Sequence, residues 1–474
     1  MKLKLFFFLL IPFLGISQVQ IGQTLLGDLT GDEMGYSVAI SANGKIIAMG
    51  APGNDGNGAN SGLVRVYENI AGVWMQLGTD IYGGNYNSWG PRNGFSVSLS
   101  ADGKVLAMGA PYNGPGIYSS GYVRIFKYIS GSWSQIGSDI GGPISQINVG
   151  ASVSLSADGN AIAVGAYGPT PLDFPGHVSI YKNIGGSWAQ VGNNINGKNN
   201  GDCFGICVSI SDDGNAVAIG AAHGSTYIPG YAGVYRNISG VWTQVGQDLV
   251  SKNLGDFYSA SVSLSSNGNV IAVGSPKGLV NVFENISGVW SQVGNDIKDP
   301  NYPYSYSLGR SVSLSSDGKV LALRGDLIAK IYENINNNWV QKGVDIYAGQ
   351  NQYYGSAFGL GISISKDATT AVIGAPAVSN QTGSVKAYDL TNTASSSKFV
   401  LDNFNIYPNP ASDILNISLE SNLVFEKAVI YNNLGQIVKE VNQDVINVSE
   451  LAKGIYFVEV TTNQGRATKK VIIK

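Results

Sequence analysis

Apolar and small polar residues alternate in GFSVSLS (94–100), which puts Phe95, Val97 and Leu99 on one face of a strand. The next run, KVLAMGA (104–110), is apolar on both faces, the pattern of a strand covered on each side. YVRIFKY (122–128) reads as a third strand and SWSQIGSDI (132–140) as a fourth. Asp102-Gly103 and Ser130-Gly131 lie between pairs of these runs. Both dipeptides are predicted to be two-residue hairpin turns, whose positive φ angles such residues accept.

The four-part phrase repeats. Its SVSLS valine recurs as Val38, Val97, Val153, Val208, Val262 and Val312, with Ile362 last, at spacings of 59, 56, 55, 54, 50 and 50. Seven copies at such a period predict a propeller or a solenoid. The fourth-strand tryptophan recurs only six times, as Trp74, Trp133, Trp188, Trp242, Trp290 and Trp339. The seventh copy stops after SVKAYDL (384–390) and has no fourth strand. The segment QVQIGQTLLGD (18–28) matches the fourth-strand phrase SQIGSDI and is predicted to supply it. The predicted fold is all-β: a seven-bladed β-propeller over residues 18–390, its last blade closed by 18–28. Such closure leaves no open sheet edge.

Composition adds little that is specific. Charged residues are 13% of the chain and net charge is −3, so no strong field favours nucleic acid or acidic membranes. Lys2 and Lys4, then an apolar run from Leu5 to Leu14 and small Gly15 and Ser17, read as a secretory signal peptide cut after Ser17. No other segment is apolar enough for a membrane helix, so no integral membrane segment is expected. Cys203 and Cys207 would stand about 13 Å apart along a strand, too far to bridge. A bend over 201–206 would permit a disulfide. With His177 and His223 the only histidines, no zinc site is expected.

The repeat resembles the FG-GAP repeat of integrin-like propellers. Phe204-Gly205 and Phe358-Gly359 supply the FG; Gly50-Ala51-Pro52, Gly109-Ala110-Pro111 and Gly374-Ala375-Pro376 supply the GAP. Calcium-binding members of that family carry a longer, Asp-rich loop between the first two strands. Here the loop is only SADGK, SANGK or SDDGN, too few oxygens for calcium. The Asp-Gly centre is therefore read as a turn device, and no metal or cofactor is expected.

Loop length separates the two ends of the sheets. The 1–2 and 3–4 turns are short; the 2–3 loops and the connections between sheets are long and varied, such as YNGPGIYSS (112–120) and YGGNYNSWGPRN (82–93). Variable loops on a rigid scaffold are a common seat of binding. The candidate ligand-binding residues are Tyr82, Trp89, Tyr112, Tyr118, Tyr167 and Tyr227, whose aromatic faces suit sugar rings or a protein surface. The competing reading is that these tyrosines pack the loops. Blades five and six have almost no 2–3 loop, which centres the expected surface on blades one to four. Arg324-Gly325-Asp326 spells an integrin-recognition tripeptide, but it falls where other copies read Gly-Ala-Pro and is taken as a variant of that turn.

No catalytic residues are assigned. Neither histidine has a nucleophile beside it in sequence, and nothing in the spacing of Asp28, Asp32, Asp173 and Asp256 demands a carboxylate pair.

Residues 391–403 begin with the small polar run TNTASSSK and read as a linker. From 404 onward alternating strands predict a small β-sandwich. This tail resembles the C-terminal sorting domain of the Bacteroidetes type IX secretion system. Tyr407-Pro408-Asn409-Pro410, Leu434-Gly435-Gln436, Gly454-Ile455-Tyr456 and basic Lys469-Lys470 match its motifs in order. The resemblance implies a partnership with the type IX machinery. It also implies passage from the periplasm to the medium or the outer cell surface. The expected protein is thus an exported binding protein for a glycan or protein. A purely structural surface protein is the second reading and a propeller hydrolase the third.

Overall fold

The computed structural model describes residues 18–84, 90–112, 120–141, 148–168, 174–222, 229–251, 257–298, 308–325, 328–347, 361–391, 404–419, 424–432, 436–462 and 465–474. Among the described residues the chain is all-β apart from one four-residue helical turn, Val378–Gln381. One compact unit spans Gln18–Thr391; the other includes Asn392–Lys474.

The larger unit holds seven antiparallel sheets. In the first, Ser37–Ile40, Ile46–Ala51, Leu63–Ile70 and Val73–Gln76 pair in chain order, and short Ile81–Tyr82 pairs with the third strand. Five more sheets repeat this plan, beginning at Ser96–Leu99, Val149–Leu155, Phe204–Ile210, Ser261–Leu264 and Ser311–Leu314. The seventh contains Ile362–Ile364, Thr370–Ala375 and Ser384–Asp389. Its fourth strand is Val19–Leu26, antiparallel to the third, with Val19 opposite Asp389 and Leu26 opposite Ser384. Second strands such as Val105–Ala110 are buried at every residue, as their two-faced apolar sequence requires.

The SVSLS phrase has a separate task for each serine. The first reaches the next sheet: Ser37, Ser96, Ser152 and Ser261 each donate at 2.8 Å to the backbone oxygens of Gly94, Gly150, Gly205 and Gly309. In the fourth sheet Cys207 takes this place and donates through Sγ to Ser259 O at 3.1 Å. Its thiol is pushed up to about 12 by burial, and it is not disulfide-bonded. The second serine accepts a backbone N–H from the next sheet, as Ser98 does from Leu155 and Ser154 from Ile210, at 2.9 and 3.0 Å. The third, buried in all seven copies, closes the turn.

That turn differs from the predicted two-residue hairpin. Ser100 Oγ donates to Asp102 Oδ1 at 2.5 Å and accepts from Val105 N at 2.9 Å, while Lys104 N donates to the same Asp102 oxygen at 2.9 Å. Only Gly103 takes a positive φ, of 70°; Asp102 stays in the ordinary region. The loop is therefore four residues long, and the aspartate's short side chain acts as a local backbone cap. The two-residue geometry belongs instead to the 3–4 hairpins, where Ser130 and Gly131 both have positive φ, 50° and 92°.

Neighbouring turns are joined to one another. Ala42 N donates to Ala101 O, Ala101 N to Ala157 O, Ala157 N to Asp212 O, Asp212 N to Ser266 O, Ser266 N to Ser316 O and Ser316 N to Lys366 O, all at 2.8–3.0 Å. The series returns to its start through Asp367 N and Ala42 O at 3.4 Å. Likewise each first strand touches the next, and Ile362–Ile364 touches Ser37–Ile40.

The fourth strands carry a second set of rivets. The indole Nε1 of Trp133, Trp188, Trp242, Trp290 and Trp339 donates to the backbone oxygen of Leu77, Ile136, Val191, Val245 and Val293 in the preceding sheet, at 2.8–3.0 Å. Trp74 donates to Ile21 O at 2.9 Å, so the opening strand stands in the same relation to the first sheet. The seventh rivet is not a tryptophan. Gln18 aligns with the Trp position of the phrase, is 3% exposed, and donates through Nε2 to Lys342 O at 2.8 Å.

The smaller unit pairs a three-stranded sheet (Phe404–Tyr407, Ile414–Leu419, Val445–Asn447) with a four-stranded one (Phe425–Tyr431, Ile437–Val441, Gly454–Thr462, Gly465–Ile473). Phe404, Leu415, Ile430, Ile446, Val458 and Val471 from both sheets share one core.

Candidate functional site

The residue just before each first-strand serine, or before the Cys207 that replaces it, is the variable letter in a fixed phrase: Tyr36, Phe95, Ala151, Ile206, Ala260 and Arg310. It stands at the loop-side start of the first strand. Three residues earlier the backbone turns left-handed, at Glu33 (φ 58°), Arg92 (φ 56°), Cys203 (φ 54°) and Phe257 (φ 51°). Non-glycine residues held there cost of order 1–3 kcal/mol each, and such outliers cluster at functional sites.

In sheets one to three these positions meet the first loop residues after the second strands. Tyr36 and Phe95 pack with centroids 4.9 Å apart, and Phe95 meets Tyr112 edge-on at 5.5 Å. Tyr112 and Asn148 both hydrogen-bond the Tyr167 hydroxyl. Arg92 Nη2 donates to Glu33 Oε2 at 3.0 Å, while Arg92 Nε is buried with no partner among the described residues. Burial pushes the Tyr36 and Tyr167 hydroxyls well above the ordinary range, with the nearby Tyr112 adding to it. Burial also raises the Glu33 carboxyl, against the opposing pull of Arg92. Yet Glu33, Tyr36, Arg92, Tyr112 and Tyr167 each keep partial exposure.

Of the six tyrosine and tryptophan candidates, the structure brings Tyr112 and Tyr167 into this cluster. Tyr82 lies elsewhere, beside the first sheet's third strand. It is 43% exposed, its ring covers Gly56, and its hydroxyl donates to Asp80 at 3.3 Å. Trp89, Tyr118 and Tyr227 lie outside the described residues. Sequence reasoning passed over Glu33, Tyr36, Arg92 and Phe95. The signal was present: a position that varies from Tyr to Ala to Arg inside an otherwise constant phrase.

The loop acids have structural partners. Asp28 and Asp80 both grip Arg65, at 2.6 Å each. Asp32 caps the backbone N–H groups of Asp28 and Leu29 at 3.0 and 2.9 Å. Asp173 and Asp256 lie outside the described residues. His177 begins a strand and burial lowers its pKa; His223 is not among the described residues. Among the described residues no three His, Cys, Asp or Glu side chains gather as a metal would need. Arg324 of the Arg-Gly-Asp triplet is fully buried and donates to Gly374 O at 3.0 Å, so its guanidinium is not presented to a partner.

In the smaller unit the motif residues brace the last strand. Asn409 donates through Nδ2 to Lys470 O at 3.0 Å and accepts from Ile472 N at 2.9 Å. The Lys469 ammonium bonds Phe404 O and sits 4.6 Å over the Phe404 ring. Tyr407 is 52% exposed. Pro408 and Pro410 follow cis peptide bonds, Gly454 opens a strand opposite Ile473, and Gly435 lies outside the described residues.

Residues 405–474 match the secretion system C-terminal sorting domain family. The tail is a type IX sorting domain. It marks the chain as an exported protein, secreted or attached at the cell surface, that engages the type IX secretion machinery. The chain is also 40% identical over 74 residues to beta-agarase D of Zobellia galactanivorans. That match covers 15% of this chain and 15% of the agarase. No helix among the described residues is long and apolar enough to cross a membrane.

Proposed function

We propose that this protein is an exported, non-enzymatic binding protein whose loop side recognises a glycan or a protein. The scaffold is a seven-bladed, FG-GAP-like β-propeller over residues 18–390. A signal peptide (1–17) directs export to the periplasm. A linker (391–403) leads to the sorting domain (404–474), which directs the onward step to the outside. The turn-to-turn hydrogen bonds that return from Asp367 to Ala42 support the closed ring, as do the six Trp rivets completed by Gln18. The shared stretch with beta-agarase D is about as long as the sorting tail, so agarase activity is not transferred to this chain.

One observation carries the binding reading: the partly exposed cluster of Tyr36, Tyr112 and Tyr167, packed on Phe95, around the Arg92–Glu33 pair. A packing role alone does not require an ion pair and desolvated hydroxyls in one cluster that stays partly exposed. Tyr82, exposed beside the first sheet's third strand, is proposed as a separate contact. Trp89, Tyr118 and Tyr227 are proposed to belong to the same side.

Two measurements test this reading. Without residues 404–474 the protein is expected to accumulate in the periplasm, read by fractionation and immunoblot; normal surface delivery would refute the sorting role. For binding, the purified protein is applied to a printed glycan array and to host-surface extracts. Tyr112→Ala is expected to weaken the strongest interaction at least about tenfold, about 1.4 kcal/mol, with the circular dichroism spectrum kept. Unchanged binding would remove the recess from the function.

A further inference from the structure

The two ends of the ring are built differently. On the loop side lies the recess. On the turn side, the residue after each turn serine follows the cyclic hydrogen-bond series: Ala42, Ala101, Ala157, Asp212, Ser266, Ser316 and Lys366. Three alanines leave space. Across that space the Lys366 ammonium bonds the Asp212 carboxylate. These turns belong to the seventh and fourth sheets, which are not neighbours in either direction. Ser316 and Ser266 join theirs by an Oγ–Oγ hydrogen bond of 2.8 Å. In a closed ring of seven sheets, a pair linking the fourth and the seventh crosses the middle.

We infer that the centre of the ring is a blind well, floored by the Asp212–Lys366 pair and mouthed by the aromatic recess, that takes the end of a saccharide chain. The inference rests on the propeller and loop-side binding reading above. Its depth follows from the first strands. Ser37–Ile40 and Ser96–Leu99 are four residues each, about 13 Å of strand at roughly 3.3 Å per residue. That depth admits a short stretch of sugar chain and no through-passage.

The lining favours a sugar over a peptide. The partly exposed Tyr36, Tyr112 and Tyr167, backed by buried Phe95, offer ring faces and edges to the apolar C–H faces of sugars. Tyr hydroxyls and the half-buried Arg92 and Glu33 side chains supply donors and acceptors to a ligand rich in hydroxyls. A protein partner would reach a floored well only with a protruding tip. A floored well imposes end recognition. Internal units of a long chain cannot enter sideways, and a free end cannot pass through.

The test uses the full exported protein and oligosaccharides of whichever series binds best on the printed glycan array. Calorimetry compares short and long members of that series, and the same oligosaccharide with its terminal ring capped by a bulky ether. Affinity is expected to level off after a few rings and to fall at least about tenfold, about 1.4 kcal/mol, on capping. Tyr112→Phe, which keeps the ring and removes the hydroxyl, is expected to weaken binding of the chain end. Lys366→Ala, which opens the floor, is expected to let affinity keep rising with chain length. Affinity that climbs with length in the unaltered protein, or tolerates the cap, overturns end recognition while leaving loop-side glycan binding intact. Protein capture with no glycan bound overturns the saccharide assignment. No interaction of either kind removes both this inference and the reading beneath it.

Discussion

Deleting residues 18–26 is expected to unfold the large unit, not to shorten it by one strand. Val19–Leu26 forms the outer strand of the seventh sheet, 358 residues or more from its partner Ser384–Asp389 in sequence. Leu25 is 5% exposed in a core shared with Met34, Val38, Val372 and Val385, so that one cluster draws on the seventh and first sheets together. Losing a buried leucine side chain alone costs about 2–5 kcal/mol. Lys342 O loses its donor Gln18 and the Trp74 indole loses its acceptor Ile21 O, hydrogen bonds worth about 1 kcal/mol apiece. The third strand is left with an unpaired edge, an invitation to aggregation. The total rivals the about 5–15 kcal/mol by which domains exceed their unfolded states. The expected result is loss of the cooperative thermal transition and a red shift of tryptophan emission. A synthetic peptide of residues 18–28 added in trans is expected to restore part of both. A truncated protein that melts within a few degrees of its parent would show that the opening strand does not hold the sheets together.

Much of this architecture was legible because the repeat wrote it seven times. Alternation in GFSVSLS located the first strands, and the missing seventh fourth strand could be matched to QVQIG by its phrase. The turn geometry was less legible. Asp-Gly suits several hairpin lengths, and what decides among them is Ser100, two residues earlier, whose hydroxyl serves Asp102 and Val105 at once. The serines stood in the pattern only as the small polar letters of an alternating strand, and they tie one sheet to the next. The recess was half visible. Tyr112 and Tyr167 stood out as loop aromatics, whereas Tyr36 and Phe95 were hidden by their place at the start of a strand pattern. Glu33 and Arg92 were hidden more deeply. Their importance comes from left-handed backbone that brings two connections together, and single-sequence patterning carries no signal for that. From sequence alone Cys207 bears only on a disulfide or a zinc site; its place is one where other sheets use serine for the same hydrogen bond.

A tight constraint between neighbouring sheets is a glycine, and Gly109→Ala is expected to cost about 3 kcal/mol or more, at the upper end of overpacking penalties. The second strands carry glycine at their next-to-last residue, at Gly50, Gly109, Gly165, Gly220, Gly274 and Gly374. At each of these a Cβ would fall against a backbone oxygen of the following sheet: Gly94, Gly150, Gly205, Ser259, Gly309 and Gly35 in turn. At Gly109 the same atom would also strike Ser96 Oγ, which is already committed to Gly150 O. The carbonyl is backbone and Ser96 Oγ is held by its bond to Gly150 O, so relief requires the second and third sheets to separate and to break that hydrogen bond. The sixth sheet has Arg324 at this place, fully buried and bonded to Gly374 O. Arg324→Gly is therefore expected to destabilise as well, since it leaves a cavity and an unmet carbonyl where the other sheets are closed by contact. Thermal melts of the two variants read both effects. A Gly109→Ala protein that melts with its parent would mean that neighbouring sheets can slide apart at no cost, which the serine and tryptophan ties described above forbid.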